Sequence, residues 1–109
     1  MELVITLAYD NLIKCFNFQL ENNTYQKAEF KLPNKTFSAA LDFPFLLICS
    51  NESKVGIIAM ESIQNIKIPQ RYDDIGIDQY SKCSCCSICA PENKIAVGSV
   101  DGTFCLANF

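Results

Sequence analysis

The chain repeats one short pattern. LAYDNLIKCFNF (Leu7–Phe18), CSNESKVGIIAM (Cys49–Met60) and GSVDGTFCLANF (Gly98–Phe109) align without gaps. Each reads as the end of an apolar strand, a polar corner and a second apolar strand. The corners place an acidic residue at the same point: Asp10, Glu52 and Asp101. A β-unit that returns every roughly 40–50 residues cannot bury its apolar faces alone and must stack on its neighbours. That constraint selects an all-β array and favours a binding platform over an enzyme.

The strands follow from local pattern. Leu3 to Ala8 carries the β-branched run Val4, Ile5 and Thr6, and Asp10-Asn11 is a turn dipeptide. Leu12 to Phe18 completes a hairpin, and Tyr25 to Leu32 alternates as a half-exposed outer strand. Thr36 to Phe43 is broken from Phe45 to Ser50 by Pro44. After the corner Asn51 to Lys54, Val55 to Met60 forms the next strand and Gln64 to Ile68 an outer one. Pro69 to Tyr80, with Asp73, Asp74 and Asp78, reads as a loop joining two units. Strands at Cys83 to Cys89, Lys94 to Ser99 and Thr103 to Phe109 follow, with turns at Ala90 to Asn93 and Asp101-Gly102. The tally is a partial unit over residues 1–32, a four-stranded unit over 33–70 and a partial unit over 71–109. Nothing has sustained helical periodicity, so the fold class is all-β: an incomplete propeller segment of about two to three antiparallel four-stranded blades.

Composition narrows the function classes. The chain has 109 residues, half of them hydrophobic, and a formal charge of −3, which suits one domain. The nine cationic residues are scattered, so direct nucleic-acid binding, which depends on clustered Lys and Arg, is not expected. MELVITLAYD has no basic n-region and does not read as a signal peptide. No apolar run approaches the ~20 residues that span a bilayer, so membrane insertion is not expected. Seven cysteines without a secretory signal point to free thiols in a reducing compartment. With no histidine, a Ser-His or Cys-His nucleophile is impossible, and no phosphate-binding loop exists. The chain is expected to be non-catalytic and to need no cofactor.

Cys83, Cys85, Cys86 and Cys89 hold two overlapping C-x-x-C spacings, and four thiolates could bind zinc. Strand geometry sends Cys83, Cys85 and Cys89 to one face and Cys86 to the other, and no Gly or Pro supplies the turn a zinc knuckle needs. Packing as small hydrophobes is the stronger reading. Asp73, Asp74 and Asp78 lack the spacing of a calcium loop and read as a solvated segment.

The residues also support a family resemblance. From Leu32, LPNKTFSAALDFPFLLICSNESKVGIIAM resembles the WD40-repeat nuclear mRNA export factors of the RAE/GLE type: Leu32-Pro33, then the Phe43-Pro44 break, then the strand Phe45 to Ile48. Lys82-Cys83 matches a basic residue and Cys that open a strand, and IAVGSVDGTFCLANF from Ile95 resembles the family's F-A-L-G-S-I-E-G-R-V-A-I signature. The Trp-Asp pair that names the repeat is replaced by Phe16-Asn17, Ile58-Ala59 and Ala107-Asn108, and the family's arginine after Gly102 is Thr103. The resemblance implies a propeller of about seven blades, of which roughly four are not in this chain. It also implies a scaffold in the nucleus and at the nuclear pore, shuttling to the cytoplasm. Its partner would be a nucleoporin peptide segment, with Lys82 as the partner-binding residue. The alternatives are a mitotic spindle-checkpoint adaptor of the BUB type, a cysteine-cluster metal-binding protein and a truncated remnant. Bare faces at both ends would allow self-association.

Overall fold

The computed structural model describes residues 2–50, 55–76 and 83–109. Within them the chain is all-β, with antiparallel strands grouped in three sheets. Sheet A runs β1 (Glu2–Tyr9), β2 (Leu12–Gln19) and β3 (Thr24–Lys31). Sheet B runs β4 (Thr36–Asp42), β5 (Phe45–Ser50), β6 (Val55–Ile63) and β7 (Ile66–Ile75). Sheet C runs β8 (Cys83–Cys89), β9 (Lys94–Ser99) and β10 (Phe104–Asn108), with one 3-10 turn at Ala90–Glu92. Each is a meander in which consecutive strands pair, so contacts within a sheet are local in sequence.

Turn chemistry sets these registers. Gln64 and Asn65 both hold positive φ (51° and 66°), as a two-residue hairpin turn between Ile63 and Ile66 requires. Asp10 also holds positive φ, and its carbonyl accepts the Thr36 N–H at 2.8 Å. The Asn11 carbonyl accepts the Leu32 N–H at 2.6 Å. The β1–β2 corner therefore fixes where sheet B begins. At the last corner, Asp101 Oδ1 accepts from the Thr103 N–H (3.0 Å) and hydroxyl (2.6 Å), and Gly102 takes φ 88°.

Sheet B lies between the other two, and β5 shows why. Its five residues Leu46 to Ser50 are all buried. Alternation sends Leu46 and Ile48 to one face, where they meet Ile13, Cys15, Leu32, Ile58 and Met60. Leu47 and Cys49 go to the other, against Val55, Cys83, Ile95 and Val97. A near-continuous apolar strand is what burial on both faces demands. Among the described residues, sheets A and C are each covered on one face, and β2 accordingly alternates buried and half-buried residues.

Two expectations are corrected. Pro69 to Tyr80 is not a loop throughout: β7 continues through Pro69 to Ile75, and residues 77–80 lie outside the described residues. Pro69 pairs with Met60 beside a register shift at Ala59/Met60, and β7 is the edge of sheet B. An edge position beside a bulge tolerates a residue with no N–H to donate. The polar run beyond it pairs with β6, Tyr72 opposite Ile58 and Ile75 opposite Val55. The second correction concerns β8. A register shift between Cys83 and Cys85 inserts one residue into the strand. Cys83 and Cys86 therefore face sheet B, while Cys85 and Cys89 are exposed on the opposite side.

Candidate binding surfaces

Lys82, the partner-binding residue expected from the resemblance, lies outside the described residues, as do Glu52 and Asp78. Asp10 and Asp101 serve their turns. Asp73 and Asp74 are exposed on β7, and Arg71 Nε pairs with Asp73 Oδ2 at 2.9 Å.

Three of the seven cysteines share one environment. Cys49, Cys83 and Cys86 meet in the core between sheets B and C, with the Ser38 hydroxyl 3.5 Å from Cys86 Sγ. A hydrogen bond to Cys86 and burial hold the Cys49 thiol well above the usual thiol range. Cys86, which accepts from Cys49, is lowered despite its burial. Cys83 is raised by burial. Among the described residues, no three His, Cys, Asp or Glu side chains are placed to hold a metal ion.

The ends of the stack carry apolar side chains in the open. On sheet A, Leu3 and Ile5 stand opposite Phe18 and Phe16, and Phe18 stacks obliquely on Tyr25 with ring centroids 5.4 Å apart. On sheet C, Phe104 and Leu106 are 76% and 72% exposed. Phe104 stands opposite Gly98, which offers it no side chain to pack on.

Between sheets A and B the chemistry changes along the gap. Near Ile13 and Cys15 it is apolar. At Asn17, only 4% exposed, it turns polar. The Lys67 N–H donates to Asn17 Oδ1 at 2.8 Å, and Asn17 Nδ2 donates to the Lys67 carbonyl at 3.1 Å. Beyond this clamp the sheets part and leave a cleft of about 370 Å³ lined by Gln19, Asn22, Thr24, Gln26, Gln64 and Asn65. Among the described residues, no charged side chain lines it. A second cleft, of about 480 Å³, lies between sheets B and C, where Arg71, Asp73 and Asp74 flank Phe45 and Phe109, whose rings meet edge to face at 5.0 Å.

The amide cleft was not visible in the sequence. Its one trace is the change along β2 from Ile13 and Cys15 to Asn17 and Gln19 at every second position. No family model, curated protein or solved structure matches this chain. Among the described residues no helix is long and apolar enough to cross a membrane.

Proposed function

We propose that the chain is a segment of a WD40-type β-propeller that acts as a non-catalytic docking scaffold. The reading extends to its resemblance: docking on a nucleoporin segment at the nuclear pore, in aid of mRNA export. One observation carries it: three meander sheets packed face to face, the middle one buried on both faces. Propeller blades stack in this way, each supplying half of the core beneath its neighbour. The order of motifs from Leu32-Pro33 through Lys82-Cys83 to Gly98-Ser99 supports the export type. On this reading the bare outer faces of sheets A and C take further sheets of the same kind or a second copy, and Lys82 contributes charge to an acidic partner segment.

The test is calorimetric binding of two peptides, one from a nucleoporin and one from a checkpoint kinase. The expected result is binding of the first alone, weakened about tenfold by Lys82→Glu, or about 1.4 kcal/mol. Binding of the kinase peptide alone would overturn the export reading in favour of a spindle-checkpoint adaptor.

A further inference from the structure

We infer that the amide-lined cleft between sheets A and B binds an extended, uncharged peptide segment by reading its backbone. The inference rests on the docking-scaffold reading and gives it a site and a ligand class. Asn17 shows the recognition at work inside the fold. Its carboxamide accepts from the N–H and donates to the C=O of one residue, Lys67. In an extended strand those two groups point the same way, so one carboxamide satisfies both. The amide therefore stands in for a neighbouring strand.

The same chemistry continues into the cleft. Gln19 lies two residues beyond Asn17 on β2, so it shares that face, roughly 6.8 Å further along. That distance equals the spacing of like-oriented peptide groups in an extended chain. Gln26 stands directly opposite Asn17 on β3. Gln64 closes the far wall from the β6–β7 turn. It holds φ 51°, a left-handed conformation that Asn, Asp and Gly adopt far more readily than Gln. Turn geometry accounts for Asn65, which holds positive φ, but it does not call for Gln at 64 or for amides at 19 and 26. No hydrogen bond within the described residues engages those three side chains. The β6–β7 hairpin turns back just before Lys67, so the line that β7 follows is left open for an incoming strand. The described lining carries no charge, and this sets the ligand class, because a charged side chain entering it would meet no counter-charge there.

The test uses a capped, uncharged Ser/Thr/Gly peptide of about eight residues, which at ~3.4 Å per residue crosses the cleft. Its control is the same peptide N-methylated at alternate residues, which removes backbone donors and keeps the side chains. The readout is the NMR signals of the Gln19, Gln26 and Gln64 carboxamides during titration. Binding is expected to shift all three, and N-methylation or Gln26→Ala to weaken it at least tenfold. Gln26 is exposed, so its loss leaves the fold intact, and Gln64→Ala gives a second, independent variant. Unmoved amide signals at millimolar peptide, or equal affinity of the methylated control, would overturn the inference. A nucleoporin peptide that binds without shifting these signals leaves the docking reading standing and removes the cleft. Shifts with the uncharged peptide, but no binding of either natural segment, do the reverse.

Discussion

The carboxamide of Asn17 and the backbone of Lys67 exchange two hydrogen bonds, of 2.8 and 3.1 Å, between sheets A and B. They are separated by 50 residues in sequence, so this contact pins one sheet to the next. It sits where the apolar part of the gap ends. Removing the amide would take this contact from the half-buried N–H and C=O of Lys67.

Asn17→Ala is therefore expected to lower unfolding free energy by about 1–3 kcal/mol. Asn17→Asp should cost a similar amount, because a carboxylate still accepts from the Lys67 N–H but meets the Lys67 carbonyl with no donor. Urea unfolding measures both. Amide hydrogen exchange at Lys67 adds a local readout, which should accelerate in each variant even where the global change is small. An unchanged exchange rate would show that the clamp is not closed in solution.

Gly56 faces the ring of Tyr72, and an added Cβ would overlap the ring's far edge. Tyr72 is held on the sheet A side of the core, next to Ile58 on β6. Gly56→Val must push the ring out or open the β6–β7 pair, and is expected to cost about 1–3 kcal/mol. Tyr72→Ala in the same chain should recover part of that loss, since it removes the overlap. Thermal melts of the single and double variants form a cycle, and strict additivity would mean that the two sites do not touch.

Much of this fold could be read from the residues. β5 announces itself as FLLICS, too apolar for a strand with one wet face. Asp10-Asn11 and Asp101-Gly102 carry turn chemistry that works locally, so their hairpins needed no tertiary information. β7 was harder. Pro69 and the acidic pair Asp73 and Asp74 argue for a loop in any local window. Only the bulge opposite Ala59 and Met60, with an edge position, lets Pro69 sit in a strand. The β8 bulge likewise leaves no mark in CSCCSIC, and it reverses which cysteines face the core. The amide cleft depends on where two sheets separate, a distance that no single segment encodes. Lys82 rests on the family resemblance alone.

The β8 bulge makes a direct chemical prediction. Native-state alkylation should label Cys85 and Cys89 quickly, since both are exposed, and spare Cys15, Cys49 and Cys83, which are fully buried. Regular alternation would instead pair Cys83 with Cys85 and Cys89. Peptide mapping after a brief pulse of iodoacetamide separates the two patterns. Rapid labelling of Cys83 together with Cys85 would rule out the inserted residue.

Cys15 ties stability to alkaline pH. It is fully buried between sheets A and B, and burial pushes its thiol up from 9.0 to about 11. The folded chain therefore holds this proton over a range where the unfolded chain releases it. The stabilisation is complete below pH 9 and is lost as the pH rises through about 11. Two pH units of difference correspond to about 2.7 kcal/mol at the limit, and roughly 2 kcal/mol at pH 11. Cys49 is raised as well, but its hydrogen-bond partner Cys86 is lowered, so the two contributions of that pair oppose each other. Unfolding midpoints measured every half unit from pH 8 to 11 should thus show a fall above pH 9 to which Cys15 contributes. The Cys15→Ala variant starts lower, because it leaves a small cavity, but its curve should be flatter over the same window. A variant that falls as steeply as the parent would assign the transition to another group.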